Sequence, residues 1–160
     1  METLRILAAD DEPGMLMAVE RVLRSLTIRL PDLNGDVRFT IDTAATGEDA
    51  LDKIHAQPPH ILLLDYKLPG ISGLDVLDRI AAEPGRDILT IMMTAYASLE
   101  TAVTATKRGA YDFLAKPFTP DELKNTVRKA AASLVLAQQA RKLAEEKRQV
   151  RFQFISVLAH

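Results

Sequence analysis

The sequence predicts an α/β domain: five parallel strands in a doubly wound sheet, followed by a long C-terminal helix. Three observations carry this reading. Short aliphatic runs, such as Ile61-Leu62-Leu63-Leu64, alternate with segments whose apolar residues recur at helical spacing. That run is apolar throughout rather than alternating, as a strand covered on both faces must be. Finally, the runs end in residues that carry chemistry: Asp10-Asp11-Glu12, Asp65, Thr94 and Lys116.

The elements follow in order. Leu4 to Ala9 is the first strand. Met15, Val19, Val22, Leu23 and Leu26 then fall on one helix face. Pro31-Asp32-Leu33-Asn34-Gly35-Asp36 is rich in turn formers and makes the connection from Ser25 to Arg38 long. Val37 to Ala44 is the second strand, and Gly47 to His55 a short helix stopped by Pro58-Pro59. His60 to Leu64 is the third strand. A helix over Gly73 to Ala82 turns Leu74, Leu77 and Ile80 or Ala81 inward, and Ile88 to Met93 is the fourth strand. Ser98 caps a helix that runs to Arg108 and stops at Gly109. Tyr111 to Ala115 is the fifth strand. Thr119-Pro120-Asp121-Glu122 opens the last helix, with proline at its first position and acids in its first turn. Its inward stripe is Leu123, Val127, Ala130 and Leu134.

The chain has 160 residues, enough for one domain and an appendage. Hydrophobic residues make up 48% of it, which supports a packed core. A net charge of −2 gives no general attraction to nucleic acid or anionic lipid. The absence of cysteine excludes disulfides and thiolate metal sites and fits a reducing compartment. No apolar run approaches the roughly 20 residues of a transmembrane helix. The N-terminus is too short and acidic for a signal peptide, so a cytoplasmic location is expected.

Ligands of parallel α/β sheets bind beyond the carboxyl ends of the strands, which is where Asp10, Asp11, Asp65, Thr94 and Lys116 fall. Carboxylates gathered there repel one another and raise each other's pKa. A divalent cation offsets that repulsion, and an oxygen-only donor set favours Mg²⁺, which commonly shares its shell with phosphate. A carboxylate can also be the nucleophile that accepts a phosphoryl group. Mg²⁺ and Lys116 would then supply positive charge, and the Thr94 hydroxyl a hydrogen bond, around the phosphoryl oxygens.

Asp10-Asp11, Asp65-x-x-Leu68-Pro69-x-x-x-Gly73, Met93-Thr94-Ala95 and Lys116-Pro117-Phe118 together resemble the receiver domain of two-component response regulators over Met1 to about Ser133, which implies a flavodoxin-like fold with strand order 2-1-3-4-5. The resemblance implies that Asp65 is the phosphoacceptor and that a histidine kinase or phosphotransfer protein is the donor. It implies that Asp11 and Asp65 ligate Mg²⁺ directly, with Asp10 close by, often through water, and the backbone carbonyl of Lys67 as third protein ligand. Thr94 and Lys116 would contact the phosphoryl oxygens, and the Lys116-Pro117 bond is often cis in such domains. A switch would couple Thr94 to Phe113, three residues before the lysine, with Tyr111 the lesser candidate. Lys67 and Tyr96 would tune access to the site; His55 and His60 are expected as surface residues without a metal.

Two other chemistries fit less well. An aspartate-nucleophile phosphatase typically uses Asp-x-Asp, and Lys67 fills the second position here. A dinucleotide site needs a glycine-rich turn after the first strand, where Ala8-Ala9-Asp10-Asp11 offers none.

Residues 134–160 form a different unit from the receiver of residues 1–133. Leu136, Ala140, Leu143, Lys147, Val150, Phe154 and Val157 keep the four-three spacing of a coiled-coil seam, which predicts a parallel homodimer. The register shifts near residue 135, away from the inward stripe of the receiver helix. The last residues, Phe154-Ile155-Ser156-Val157-Leu158-Ala159-His160, resemble the start of the phosphoacceptor box of histidine kinases, with His160 as a second phosphorylation site. That resemblance implies the N-terminal part of a hybrid sensor histidine kinase, leading into a truncated dimerisation domain. The alternative is a response regulator whose tail leads to another output. The receiver itself is expected only to phosphorylate and dephosphorylate itself.

Overall fold

Neighbouring residues of the central strands feed two separate hydrophobic cores, which is why the aliphatic runs are unbroken. The computed structural model describes residues 2–30, 35–83, 87–95 and 98–158. In chain order the elements are β1 (Glu2–Ala9), α1 (Pro13–Arg24), β2 (Ile28–Arg29), β3 (Asp36–Ala44), α2 (Gly47–Ala56), β4 (Ile61–Asp65), α3 (Gly73–Ala81), β5 (Leu89–Thr94), α4 (Leu99–Lys107), β6 (Asp112–Ala115) and α5 (Pro120–Leu158). Leu4, Ile6, Ala8, Ile61, Leu63, Ile91 and Met93 point to one face, with Val19 and Leu23 of α1 and Leu123, Val127 and Ala130 of α5. Leu7, Ala9, Leu62, Leu64 and Met92 point to the other, with residues of α2, α3 and α4. All five residues of β4 are buried, as a central strand covered twice must be.

The strand order is β2-β3-β1-β4-β5-β6. The expected five-stranded core is present as β3-β1-β4-β5-β6, all parallel. A sixth strand was not expected. β2 pairs antiparallel with β3, Ile28 opposite Val37 and Arg29 opposite Asp36. Ile28 is buried at the edge of the first core, and Arg29 Nε lies 3.3 Å from Asp36 Oδ1. Two residues are too few to leave a periodic signal, so the sequence showed only a long connection. Its turn formers Pro31 to Asn34 lie outside the described residues.

Side-chain caps set the starts of α4 and α5. Ser98 Oγ accepts the Thr101 N–H at 3.1 Å and opens α4, while Gly109 adopts a φ of +104° just past its end. Thr119 Oγ1 accepts the Glu122 N–H at 3.1 Å at the start of α5. In α3 the inward residues are Val76, Leu77 and Ile80; Leu74 is only partly buried and Ala81 is exposed, a rotation of the expected face. The stripe expected for the receiver part of α5 is buried, joined by Ala131 and Val135. From Leu136 onward the same helix continues with its apolar residues exposed. Among the described residues no helix is long and apolar enough to cross a membrane.

Candidate functional site

Parallel pairing delivers the ends of β1, β4, β5 and β6 to one edge of the sheet, and the backbone ladder carries on just past them. Asp10 N–H donates to Ala44 O at 3.0 Å, Tyr66 N–H to Met93 O at 2.9 Å, and Lys116 N–H to Thr94 O at 2.8 Å. These bonds hold Asp10, Asp65, Thr94 and Lys116 at adjacent strand ends. Asp10 and Thr94 are buried, and the side chains of Asp65 and Lys116 are each only 9% exposed. Lys116 Nζ spans the two acids, 2.6 Å from Asp10 Oδ2 and 3.2 Å from Asp65 Oδ2. Asp10 Oδ1 accepts the Glu12 N–H at 2.9 Å, turning the chain into α1, and Asp65 Oδ1 accepts the Lys67 N–H at 3.4 Å. The Lys116-Pro117 peptide is cis.

The charges do not balance. Burial pushes the Asp65 carboxyl above its ordinary range and the nearby Asp10 pushes it further; Lys116 and the Lys67 N–H pull back only in part. Burial alone would lower the Lys116 ammonium, but the hydrogen bond and charge of Asp10, then Asp65, outweigh it and hold Lys116 above the ordinary lysine value. Two buried carboxylates therefore share one ammonium.

Oxygen ligands of Asp10, Asp11 and Glu12 can come within 4.8 Å of one another, Asp11 and Glu12 being exposed to solvent. This is a hard, all-carboxylate donor set of the kind that suits Mg²⁺. Asp65 is outside that group and is tied to Asp10 through Lys116. Glu12 was legible as the third acid after the first strand, yet the expected ligand set was Asp10, Asp11, Asp65 and Lys67. Lys67 is exposed beside Asp65; Tyr96 and His160 lie outside the described residues.

Phe113 pairs in register with Met92, and strand alternation puts Met92 and Thr94 on the same face. Phe113 is half-buried there, against the second core. Tyr111 is more exposed, its hydroxyl 3.5 Å from Lys129 O. Two supports of the site take their reason from the coordinates: Gly73 of the motif, and Glu48, which the sequence did not single out. A Cβ on Gly73 would strike the Asp65 carbonyl oxygen, so only glycine lets α3 start this close to the end of β4. Glu48 Oε1 accepts the Ile71 N–H at 3.1 Å and ties down the loop that follows Asp65.

The response regulator receiver domain family is matched over residues 6–128. The nitrogen assimilation regulatory protein NtrX of Azorhizobium caulinodans is 34% identical over 142 residues, 88% of this chain and 29% of that protein. The regulatory protein LuxO of Vibrio cholerae is 42% identical over 90 residues, 56% of this chain and 20% of that protein. The chain thus spans less than a third of these curated relatives. Among solved structures, the signal receiver domain of a LuxO repressor protein from Vibrio parahaemolyticus superposes with a TM-score of 0.76 at 29% identity, covering 86% of this chain and 97% of that one. NtrX from Brucella abortus superposes with a TM-score of 0.74 at 30% identity, covering 89% of this chain and 30% of that one. Receiver domains take up phosphoryl groups in two-component signalling and typically depend on Mg²⁺. With its fold, strand-end residues and relatives in agreement, this chain belongs to the response regulator receiver domain family.

Proposed function

We propose that Asp65 accepts a phosphoryl group in Mg²⁺-dependent transfer from the histidine of a histidine kinase or phosphotransfer protein. The observation that carries this is the pair of buried carboxylates, Asp10 and Asp65, bridged by one lysine at the open edge of the sheet. An oxygen of Asp65 forms the new bond to phosphorus as the donor's bond breaks, and the leaving imidazole keeps the electron pair. Lys116, within hydrogen-bond distance of Asp65, turns to the phosphoryl oxygens, and Thr94 donates its hydroxyl to them. Asp11, Asp65 and the Lys67 carbonyl would hold Mg²⁺ with Asp10 beside it, and the ion would offset the negative charge that transfer brings together. Thr94, drawn toward the phosphoryl group, frees space for Phe113 on the same face, and the change reaches α4 and β6.

The likeness to NtrX, LuxO and DctD supports the receiver of a response regulator, residues 1–133, rather than of a hybrid kinase. The aligned stretch with NtrX covers 88% of the chain and so must run past residue 128 into the distal part of α5. The kinase reading rests on the last seven residues, of which Ala159 and His160 lie outside the described residues. The distal part of α5, Leu136 to Leu158, serves instead as a dimerising helix toward an output region. The exchange is cytoplasmic, in keeping with a chain free of cysteine.

Incubation with Mg²⁺ and a small acyl phosphate, followed by intact mass and peptide mapping, tests the assignment. One phosphoryl adduct is expected on Asp65, lost with EDTA and in Asp65→Asn. Unchanged labelling of Asp65→Asn would overturn it.

A further inference from the structure

Among the large apolar side chains that the distal part of α5 keeps in solvent, Leu136, Leu143, Val150, Phe154 and Val157 are all more than half exposed, while Phe152, Ile155 and Leu158 are exposed outside their row. Leu136, Leu143, Val150, Phe154 and Val157 lie on one seam, completed by Ala140 and Lys147. A helix that held this seam alone would leave an uncovered apolar stripe. The charges beside the seam say what covers it.

Leu136, Leu143, Val150 and Val157 recur every seven residues and define one core position; Ala140, Lys147 and Phe154 define the other. One flank of the seam is then Ala137, Ala144, Arg151 and Leu158, and the opposite flank is Gln139, Glu146 and Gln153. In a parallel pair without stagger, each residue of the second flank faces the first-flank residue five positions later on the other helix. Glu146 therefore faces Arg151 of a second copy, and twofold symmetry makes the contact twice. Lys147, in the core, packs beside Glu146 of the second copy, to which its ammonium can reach.

Other arrangements lose these contacts. In an antiparallel pair like flanks face each other, so Glu146 meets only glutamines or another glutamate, and Arg151 only alanines, leucine or another arginine. A parallel pair staggered by one repeat sets Glu146 against Ala144 or Leu158.

The intramolecular ion pairs of this region fit the same division. Arg148 pairs with Glu145 at 3.4 Å, and Arg141 reaches Asp87 of the receiver at 2.7 Å. All three helix residues in those pairs lie on the side away from the seam. Among the described residues no ion pair is recorded for Glu146, Lys147 or Arg151, the charges that border or enter it.

We infer that distal α5 docks a second copy of this chain, parallel and without stagger, and that Glu146, Lys147 and Arg151 select this arrangement. The inference rests on the dimerising-helix reading above and adds the register of the pair and the residues that select it. Two receivers would then stand side by side at one end of the coil, with both chain ends at the other.

Because the chain has no cysteine, Val150→Cys provides a single thiol. Mild oxidation should convert it to a covalent dimer of like positions. Sedimentation equilibrium of the full chain should show a dimer weakened about tenfold by Glu146→Lys and by Arg151→Glu, since each change replaces two attractive contacts by two repulsive ones. The doubly reversed chain should bind at least about threefold more tightly than either single variant, short of full recovery because Lys147 then neighbours a lysine. A monomeric parent chain at tens of micromolar would sink the dimer reading itself. A dimeric parent that gives no Val150→Cys cross-link, or a double variant as weak as the singles, would overturn only the orientation and its charge selectors.

Discussion

β1 and β4 carry polar residues at both edges of the sheet, and the two edges treat them differently. At the amino edge, Arg5 and His60 complete each other: the Arg5 N–H donates to His60 Nδ1 at 2.9 Å and the His60 N–H to Arg5 O at 2.9 Å. Arg5 Nη2 donates to Pro58 O at 2.9 Å, leaving Arg5 Nε as a buried donor without a partner. At the carboxyl edge, the same strands bring Asp10 and Asp65 to a single Lys116. The amino edge closes its strands with nearly complete hydrogen bonding around one guanidinium and one imidazole. The other holds surplus negative charge in a buried setting, at a cost to stability. That surplus is unhelpful to an apo fold and suited to a site that takes a metal ion and a phosphoryl group.

The largest effect expected from this contrast comes from removing the cation. Lys116→Ala leaves Asp10 fully buried beside a second carboxylate. Breaking a buried ion pair from one side costs about 3–5 kcal/mol, and the lower end applies at an open sheet edge. Urea denaturation in metal-free buffer should register that loss, and added Mg²⁺ should recover part of it. A change below about 1 kcal/mol would mean that Lys116 is not what compensates the acids.

The second test relieves the surplus instead. Asp65→Asn removes one carboxylate while keeping the Lys116–Asp10 pair, and should stabilise the metal-free chain by about 1 kcal/mol at neutral pH. The sign has a pH signature. Asp65 has a folded-state pKa above its ordinary 3.8, so the folded state binds its proton more tightly than the unfolded state. Its contribution to stability is therefore greatest below 3.8 and is lost as pH rises through the raised value. The advantage of Asp65→Asn should grow across that window and then level off. A less stable variant at neutral pH would show that Asp65 supports the apo fold.

The two edges were not equally legible in the sequence. Asp10, Asp65, Thr94 and Lys116 announce themselves because polar residues interrupt aliphatic runs where parallel strands must stop. Gly73 belonged to the recognised motif, but its reason, close approach to the Asp65 carbonyl, needed coordinates. Glu48 gave no local signal, because its partner Ile71 lies 23 residues away. His60 was expected at the surface because Pro58-Pro59 precedes it, whereas it is half-buried and bonded to β1. Only the pairing of β1 with β4 could reveal that. The expected change of stripe in α5 is visible, because Val135 is the last buried residue before the exposed seam.

The smallest effect belongs to the amino edge, where His60 must accept a hydrogen bond and so needs a neutral Nδ1. Burial pushes its imidazole below the ordinary 6.5, the Arg5 charge adds to this, and Glu2 opposes it. A base with a lowered folded-state pKa binds protons more weakly folded than unfolded, so stability is full above 6.5 and falls as pH drops below it. The difference in unfolding free energy between the parent chain and His60→Gln should therefore shrink between about pH 7.5 and about pH 5.5, by less than about 1 kcal/mol. Phosphorylation of Asp65 should be unchanged in His60→Gln, since the two edges lie at opposite ends of β4. A pH-independent difference would mean that folding does not perturb His60, and the contrast between the two edges would have to be redrawn.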